Sequence, residues 1–319
     1  MNNEDYINSL SIFEIYRVAW ANKLFIIFLT SLFSISSIIY SLSLPNLYTS
    51  TALVTFPKDS SSISSQLGGL ASLGTVAGIS LPEDDSFKNF KEAMMIMNSK
   101  SFIYNFLDRK GHIPLIMATK DWKPNENIFI YNDKIYDLSK QEWTRKVVYP
   151  RTKKPTSTEI AKEFHKNILS SDFSLKDETL SISLTFFSPF LAQEMLIDLI
   201  EEVNIITRAE SIKEIDNKIE YINEKIRTEE NNSLKMFFSK ELESELTARI
   251  IAVNKLHFVF KVIDEPSLAL KKSRPSRSII VIFSSFIGGI FSLLFLILLN
   301  VYKGYSCTFN YRNFKFEKI

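Results

Sequence analysis

The chain has 319 residues, with 38 Lys and Arg against 36 Asp and Glu; a formal net charge of +2 carries no polybasic signature of nucleic-acid binding. Its one cysteine, Cys307, can make neither an intrachain disulfide nor a zinc site. Hydrophobic residues make up 45% of the chain, ordinary for a globular protein, but much of that weight sits in two runs.

The runs are residues 24–44 and 279–301, and neither contains a charge. About 20 residues at helical rise cross a hydrocarbon core of roughly 30 Å. In lipid the backbone must satisfy its own hydrogen bonds, so each run is predicted to be a transmembrane helix. Trp20 and Tyr40 bracket the first, and Tyr302 and Tyr305 follow the second, as interfacial rings do. The first run is longer than the roughly 7–15 apolar residues of a signal peptide, so it reads as an anchor rather than a cleaved leader. Two spans put both ends on one side. Arg17 and Lys23 before the first run, and Lys303, Arg312, Lys315 and Lys318 after the second, place tails 1–23 and 302–319 in the cytoplasm. Lys271, Lys272, Arg274 and Arg277 crowd the outer end of the second run, but long loops translocate largely regardless of charge.

Residues 45–277 are then the working domain. Tails this short leave no room for a signalling domain, and two spans are too few for a transporter. A Gly-Lys-Ser or Gly-Lys-Thr phosphate loop is missing, which argues against a nucleotide-driven enzyme. In chain order, residues 48–56 form a strand with Tyr48, Ser50, Ala52, Val54 and Phe56 on one face, ended by Pro57. Residues 59–80 are Ser/Gly-rich and carry Gly68, Gly69, Gly74 and Gly78; the embedded Leu67, Leu70, Leu73, Val76 and Ile79 suggest a loop packed on something, such as a neighbouring subunit. Residues 87–107 read as one helix through Phe90, Met94, Met97, Phe102 and Phe106. Four prolines break up 111–155. Residues 158–169 form a short amphipathic helix capped by Ser157 or Thr158, and 180–186 alternate as a second strand.

Pro189 opens a long helix, predicted to run to about Glu230 and roughly 60 Å. From Ile212 on, Ile215, Ile219, Ile222 and Ile226 recur at 3,4 spacing among charged neighbours, a narrow coiled-coil-like seam. Asn231-Asn232-Ser233 suits a turn, and Leu242, Leu246, Ile250 and Val253 mark a returning helix, so 189–256 reads as an arm folded as a helical hairpin, with a single unbroken helix through residue 256 as the alternative. Residues 257–263 read as a third strand. The fold class is α+β: two transmembrane helices flank a domain with a small sheet-and-helix base and a long helical arm.

The ordered set carries a resemblance. It comprises a membrane helix, the strand Tyr48-x-Ser50-x-Ala52-x-Val54-x-x-Pro57, and a Gly/Ser/Leu loop. A strand ending Ser188-Pro189-x-Leu191-Ala192, a long charged helix, and Val262-Ile263-Asp264-Glu265-Pro266 follow, then a Lys/Arg/Pro segment and a last membrane helix. The chain resembles the chain-length determinant (Wzz-type) polysaccharide co-polymerases of bacterial inner membranes. The resemblance implies a periplasmic domain, a homo-oligomeric ring, and no catalysis or cofactor. The implied role is control of surface polysaccharide chain length, lipopolysaccharide O-antigen above all, beside a separate polymerase in the inner membrane. A membrane adaptor of a capsule or exopolysaccharide export machine is the alternative.

Three groups of residues stand out. Ser285, Gly288, Gly289 and Ser292 make small-x-x-x-small pairs that suit close packing with the first helix, a neighbour or the polymerase. Lys271, Lys272, Arg274 and Arg277 suit phospholipid head groups or a lipid-linked polysaccharide carrier. The isoleucine seam is the candidate arm packing. Glu83, Asp84 and Asp85 read as a solvated knot, His112, His165 and His257 are too dispersed for a metal, and Trp122 and Trp143 suit core or sugar stacking.

Overall fold

The computed structural model describes residues 16, 19–57, 85–255, 257–303, 307–310 and 315–318. The Ser/Gly-rich stretch 59–80, Arg17, Glu83 and Asp84 lie outside them. The chain divides into two units, 1–46 with 273–319, and 47–272.

In the first unit, α1 (Lys23–Ser43) and α8 (Arg277–Lys303) pack antiparallel, with Phe25 ring-stacked on Phe295 and Phe33 tilted on Phe291. Both are long and apolar enough to cross a membrane, yet only 11% and 17% of their most apolar windows are buried. A core helix of a soluble protein would bury most of such a window. Ile27, Phe28, Ile39, Phe283, Phe286 and Leu298 instead point outward, which suits hydrocarbon as solvent. A short hairpin, β9 (Cys307–Asn310) and β10 (Lys315–Lys318), follows α8.

The second unit is built on an antiparallel sheet of order β6-β7-β1-β8. Its strands are β1 (Tyr48–Thr55), β6 (Leu169–Ser174), β7 (Thr179–Phe186) and β8 (Lys261–Asp264). β1 and β7 pair from Tyr48↔Phe186 to Thr55↔Thr179. One face is apolar and buried, through Ala52, Val54, Leu180, Ile182 and Leu184. The other carries hydroxyl pairs, Thr49–Thr185 at 2.8 Å and Thr51–Ser183 at 3.0 Å, so helices cover one side only. This is the α+β architecture the sequence pattern predicts.

The helical layer comprises α2 (Asp85–Met97), α3 (Lys100–Arg109), α4 (Ile113–Ala118), α5 (Ser157–Glu163) and the first half of α6 (Pro189–Thr228). The expected single helix over 87–107 is two. Ser99 leaves the helical conformation and its Oγ accepts from Phe102 N at 3.2 Å, restarting the helix so that Phe90, Met97, Phe102 and Phe106 are all buried. α5 is capped by Thr156, not Ser157 or Thr158. Thr156 and Glu159 form a reciprocal capping box, and the chain then widens into a π turn, Phe164–Ile168. Between α4 and α5 lie two small hairpins, β2 (Thr119–Lys123) with β3 (Ile128–Tyr131), and β4 (Tyr136–Asp137) with β5 (Glu142–Trp143).

Pro189 sits at the first turn of α6 and Ser188 caps it, accepting from Leu191 N at 3.4 Å. The 40 residues extend about 60 Å. Asn231 accepts from Ser233 N and Leu234 N and starts α7 (Asn232–Asn254), which returns antiparallel along α6. The returning face differs from the expected one. Ala248 and Ala252 turn toward the isoleucine seam, while Leu246, Ile250 and Val253 are exposed. Alanines let the two backbones approach where larger side chains would hold them apart. The third strand is also shorter than the expected 257–263. Phe258, Val259 and Phe260 are all buried, which the alternation of a strand cannot achieve, and pairing begins only at Lys261.

Candidate functional site: two helix pairs

The first pair is closest where small residues meet. A Cβ on Gly288 would stand 2.8 Å from Phe33 Cβ and 2.9 Å from its Cγ, atoms too near the backbone to swing aside. Gly288 is thus the position where only glycine fits. A Cβ on Gly289 would make an ordinary 3.6 Å contact with Thr30 Cγ2. The Oγ atoms of Ser285 and Ser34 lie 2.7 Å apart, Ser285 Oγ also donates to Val281 O at 2.8 Å, and fully buried Ser292 donates to Gly289 O at 2.8 Å. Phe33 and Ser34, the partners on α1, escape sequence reasoning; a serine inside a charge-free run was the available signal.

The four outer cations divide. Lys271 and Lys272 are exposed and belong to the sheet unit. Arg274 is exposed and Arg277 half-buried in the helix unit, where Arg277 Nη2 donates to Asn46 Oδ1 at 3.1 Å and its buried Nε has no partner.

The second pair is α6 with α7. Ile215 and Ile222 are buried, and Ile212, Ile219 and Ile226 half-buried, along the face toward α7. Polar clasps flank the seam: Lys218 Nζ to Glu245 Oε1 at 3.5 Å, Arg249 Nε to Asp216 Oδ1 at 2.6 Å, and Arg208 Nη1 to Lys255 O at 3.3 Å. The hydrogen bond and charge of Asp216 raise the Arg249 pKa further above its ordinary value. At the root of the arm, buried Asn204 reads the backbone of the following segment. Its Oδ1 accepts from Val259 N and Phe260 N, both at 2.9 Å, and its Nδ2 donates to Phe260 O at 3.1 Å. Asn204 is the residue that periodicity conceals, a polar group on the apolar face of α6.

Little of the remaining chemistry converges. Lys110 reaches Asp198 at 2.8 Å, and this hydrogen bond raises its pKa; with Arg109–Glu202 it ties α3 to α6. Burial lowers the His112 pKa, and His165 Nε2 lies 3.1 Å from Asn98 O. Among the described residues no three His, Cys, Asp or Glu are grouped to hold a metal ion. Trp122 stacks edge-on against Tyr48 and donates to Asn127 Oδ1 at 3.0 Å, and Trp143 packs on Tyr136, so both rings are engaged in the fold. A groove of about 680 Å³ runs between α6 and β8, lined by Ile197, Asn204, Arg208, His257 and Ile263 among others.

Residues 8–109 match the family described as Wzz, chain length determinant protein. The match covers about the N-terminal third of the chain. The matched stretch takes in α1, β1, α2 and α3. No curated protein matches the chain. Similar solved structures include a full-length bacterial polysaccharide co-polymerase, at 13% identity over 92% of this chain and 99% of that one, with a TM-score of 0.41. A fragment of the polysaccharide co-polymerase WzzB from Salmonella Typhimurium is 15% identical over 72% and 100%, with a TM-score of 0.32. The wild-type Shigella flexneri lipopolysaccharide O-antigen chain-length regulator WzzBSF is 12% identical over 71% and 100%, at 0.21. These superpositions are too loose to carry detail, and the architecture described above rests on the chain's own sheet and helices.

Proposed function

We propose that the chain is a non-catalytic regulator of surface polysaccharide length, O-antigen above all, that acts as a homo-oligomeric scaffold for a separate polymerase. The observation that carries this reading is the chain-length determinant sequence of residues 8–109, set on two apolar helices that flank one large domain. In this reading α1 and α8 cross the bacterial inner membrane, residues 47–272 stand in the periplasm, and both tails are cytoplasmic. The isoleucine seam holds the arm as one body, and the Gly288 contact holds the membrane pair together. Exposed Leu246, Ile250 and Val253 on α7 offer an apolar stripe to a neighbouring protomer. Lys271, Lys272, Arg274 and Arg277 attract head groups of the outer leaflet or the diphosphate of a lipid-linked polysaccharide.

The test is removal of the gene from its host, with the surface polysaccharide run on a silver-stained gel. Collapse of the modal band cluster into a short, unregulated ladder supports regulation. A retained mode contradicts it, and complete loss of polysaccharide favours an export adaptor.

A further inference from the structure

The segment between β5 and α5, residues 144–156, carries Arg145, Lys146, Arg151, Lys153 and Lys154 and no acidic residue. It is folded back on itself. Arg145 Nε donates to Lys153 O at 2.6 Å and its Nη2 to Thr152 O at 2.7 Å. The same Nη2 reaches Glu159 Oε2 at 2.8 Å, and Arg151 Nε stands 3.6 Å from Glu159 Oε1. A turn closes through Arg151 N to Val148 O at 3.1 Å, and Pro155 is buried. Arg145 thus serves the loop's own structure. Lys146, Lys153 and Lys154 are exposed, and none is in an ion pair among the described residues.

The pinning forces the tip outward. Val148 is 83% exposed and Tyr149 93%. One exposed apolar side chain needs no explanation, but two at the tip of a clasped loop, ringed by lysines that the clasp does not use, are an arrangement with a chemistry. Two side chains offer far less area than the roughly 1,200 Å² total that a stable protein interface buries. They suit shallow entry into a headgroup layer, with lysines reaching lipid phosphates and an aromatic ring at the interface. The loop follows the hairpins that pack where the chain enters the sheet: Trp122 lies against Tyr48 and Phe129 against Phe186, and Tyr48 comes five residues after the end of α1.

We infer that the Val148–Tyr149 tip, with Lys146, Lys153 and Lys154, docks the sheet unit onto the surface of a bilayer containing acidic phospholipids. This rests on the two-pass reading above. It adds a peripheral membrane contact remote in sequence from both apolar helices.

The experiment uses the full chain in lipid discs. Cys307→Ser removes the only native thiol, and Val148→Cys carries a fluorophore while Tyr149 is kept. Lipids with a nitroxide beside the headgroup act as quencher. In discs of equal phosphatidylglycerol and phosphatidylcholine the label should be quenched. In phosphatidylcholine alone, or in high salt, quenching should fall severalfold. Each lysine at an anionic leaflet is worth roughly a fivefold change in occupancy, so Lys146→Gln/Lys153→Gln/Lys154→Gln should weaken docking about a hundredfold and abolish quenching. That variant leaves the Arg145–Glu159 clasp intact. A label at Leu175, in the turn at the far end of β6 and β7, should stay unquenched. A label at Ile287 separates the two claims: quenching there by mid-chain nitroxide lipid with none at 148 overturns the docking alone, and no quenching at 287 overturns the two-pass reading. Quenching at 148 that ignores lipid charge and the lysines also overturns the docking. So does a label that stays in water but responds to an anionic polysaccharide.

Discussion

The chain contains two antiparallel helix pairs built for different solvents. In α6/α7 the contact is an isoleucine seam against alanines, flanked by the Lys218–Glu245 and Arg249–Asp216 ion pairs, and the outward face of α6 beyond Ile212 is mostly charged. In α1/α8 the contact is made by Gly288, Ser285 and Ser34, and the large apolar side chains face outward. Water drives the first pair together by excluding apolar surface. Hydrocarbon offers no such drive, so the second pair relies on close backbone approach and hydroxyl hydrogen bonds. The difference teaches that burial patterns reverse while pairing geometry persists.

The largest expected effect lies at the root of the water-facing pair. Asn204→Leu strands two buried N–H groups and a carbonyl, each costing about 1–3 kcal/mol, so the domain should lose roughly 3 kcal/mol or more in denaturant unfolding. Next, Ile215→Ala or Ile222→Ala should cost about 2–3 kcal/mol, seen as faster hydrogen exchange in α6 and α7 than in the sheet. In the apolar pair, Gly288→Leu overpacks against Phe33 and should cost about 1–3 kcal/mol. The readout is loss of the disulfide that Ser34→Cys/Ser285→Cys forms in membranes, and undiminished cross-linking would show that the glycine contact does not matter.

Smaller effects sharpen the contrast further. The Arg145 hydrogen bond holds the Glu159 carboxyl down to about 2 from an ordinary 4.5. A depressed folded pKa stabilises above the unfolded value, so this contribution is full above about pH 4.5 and lost as pH falls toward 2. Glu159→Gln should therefore flatten that part of a stability profile recorded from pH 5 down to pH 2. The exposed Arg249–Asp216 pair is screened by solvent and should contribute little, so Arg249→Ala should leave the midpoint of unfolding almost unchanged.

Long periodic elements were legible in the sequence, because their signals are local. The two charge-free runs, the Ser188-Pro189 helix start and the Asn231 turn all stand where residue pattern places them. The break at Ser99 was hidden because Phe90, Met97, Phe102 and Phe106 keep helical spacing across it. The packed face of α7 was misread because larger side chains mark a stripe more visibly than Ala248 and Ala252 do. β6 went unseen because Ser170, Ser171 and Asp172 give an edge strand little apolar signature. The late start of β8 depends on Asn204, 55 residues upstream of Val259, a tertiary contact that no local window contains. Of the candidate residues, the seam was readable from its period, but Phe33 and Ser34 become visible only when α1 lies against α8.

In the proposed two-pass arrangement α1 and α8 cross a membrane and the domain between them stands outside the cytoplasm. In a Cys307→Ser background, Leu175→Cys in the exposed turn between β6 and β7 and Ile287→Cys in α8 can each be offered a membrane-impermeant maleimide in intact spheroplasts. The account predicts that the thiol at 175 labels at once and the thiol at 287 does not label even after lysis. Labelling at 175 only after lysis, or ready labelling at 287, would contradict it.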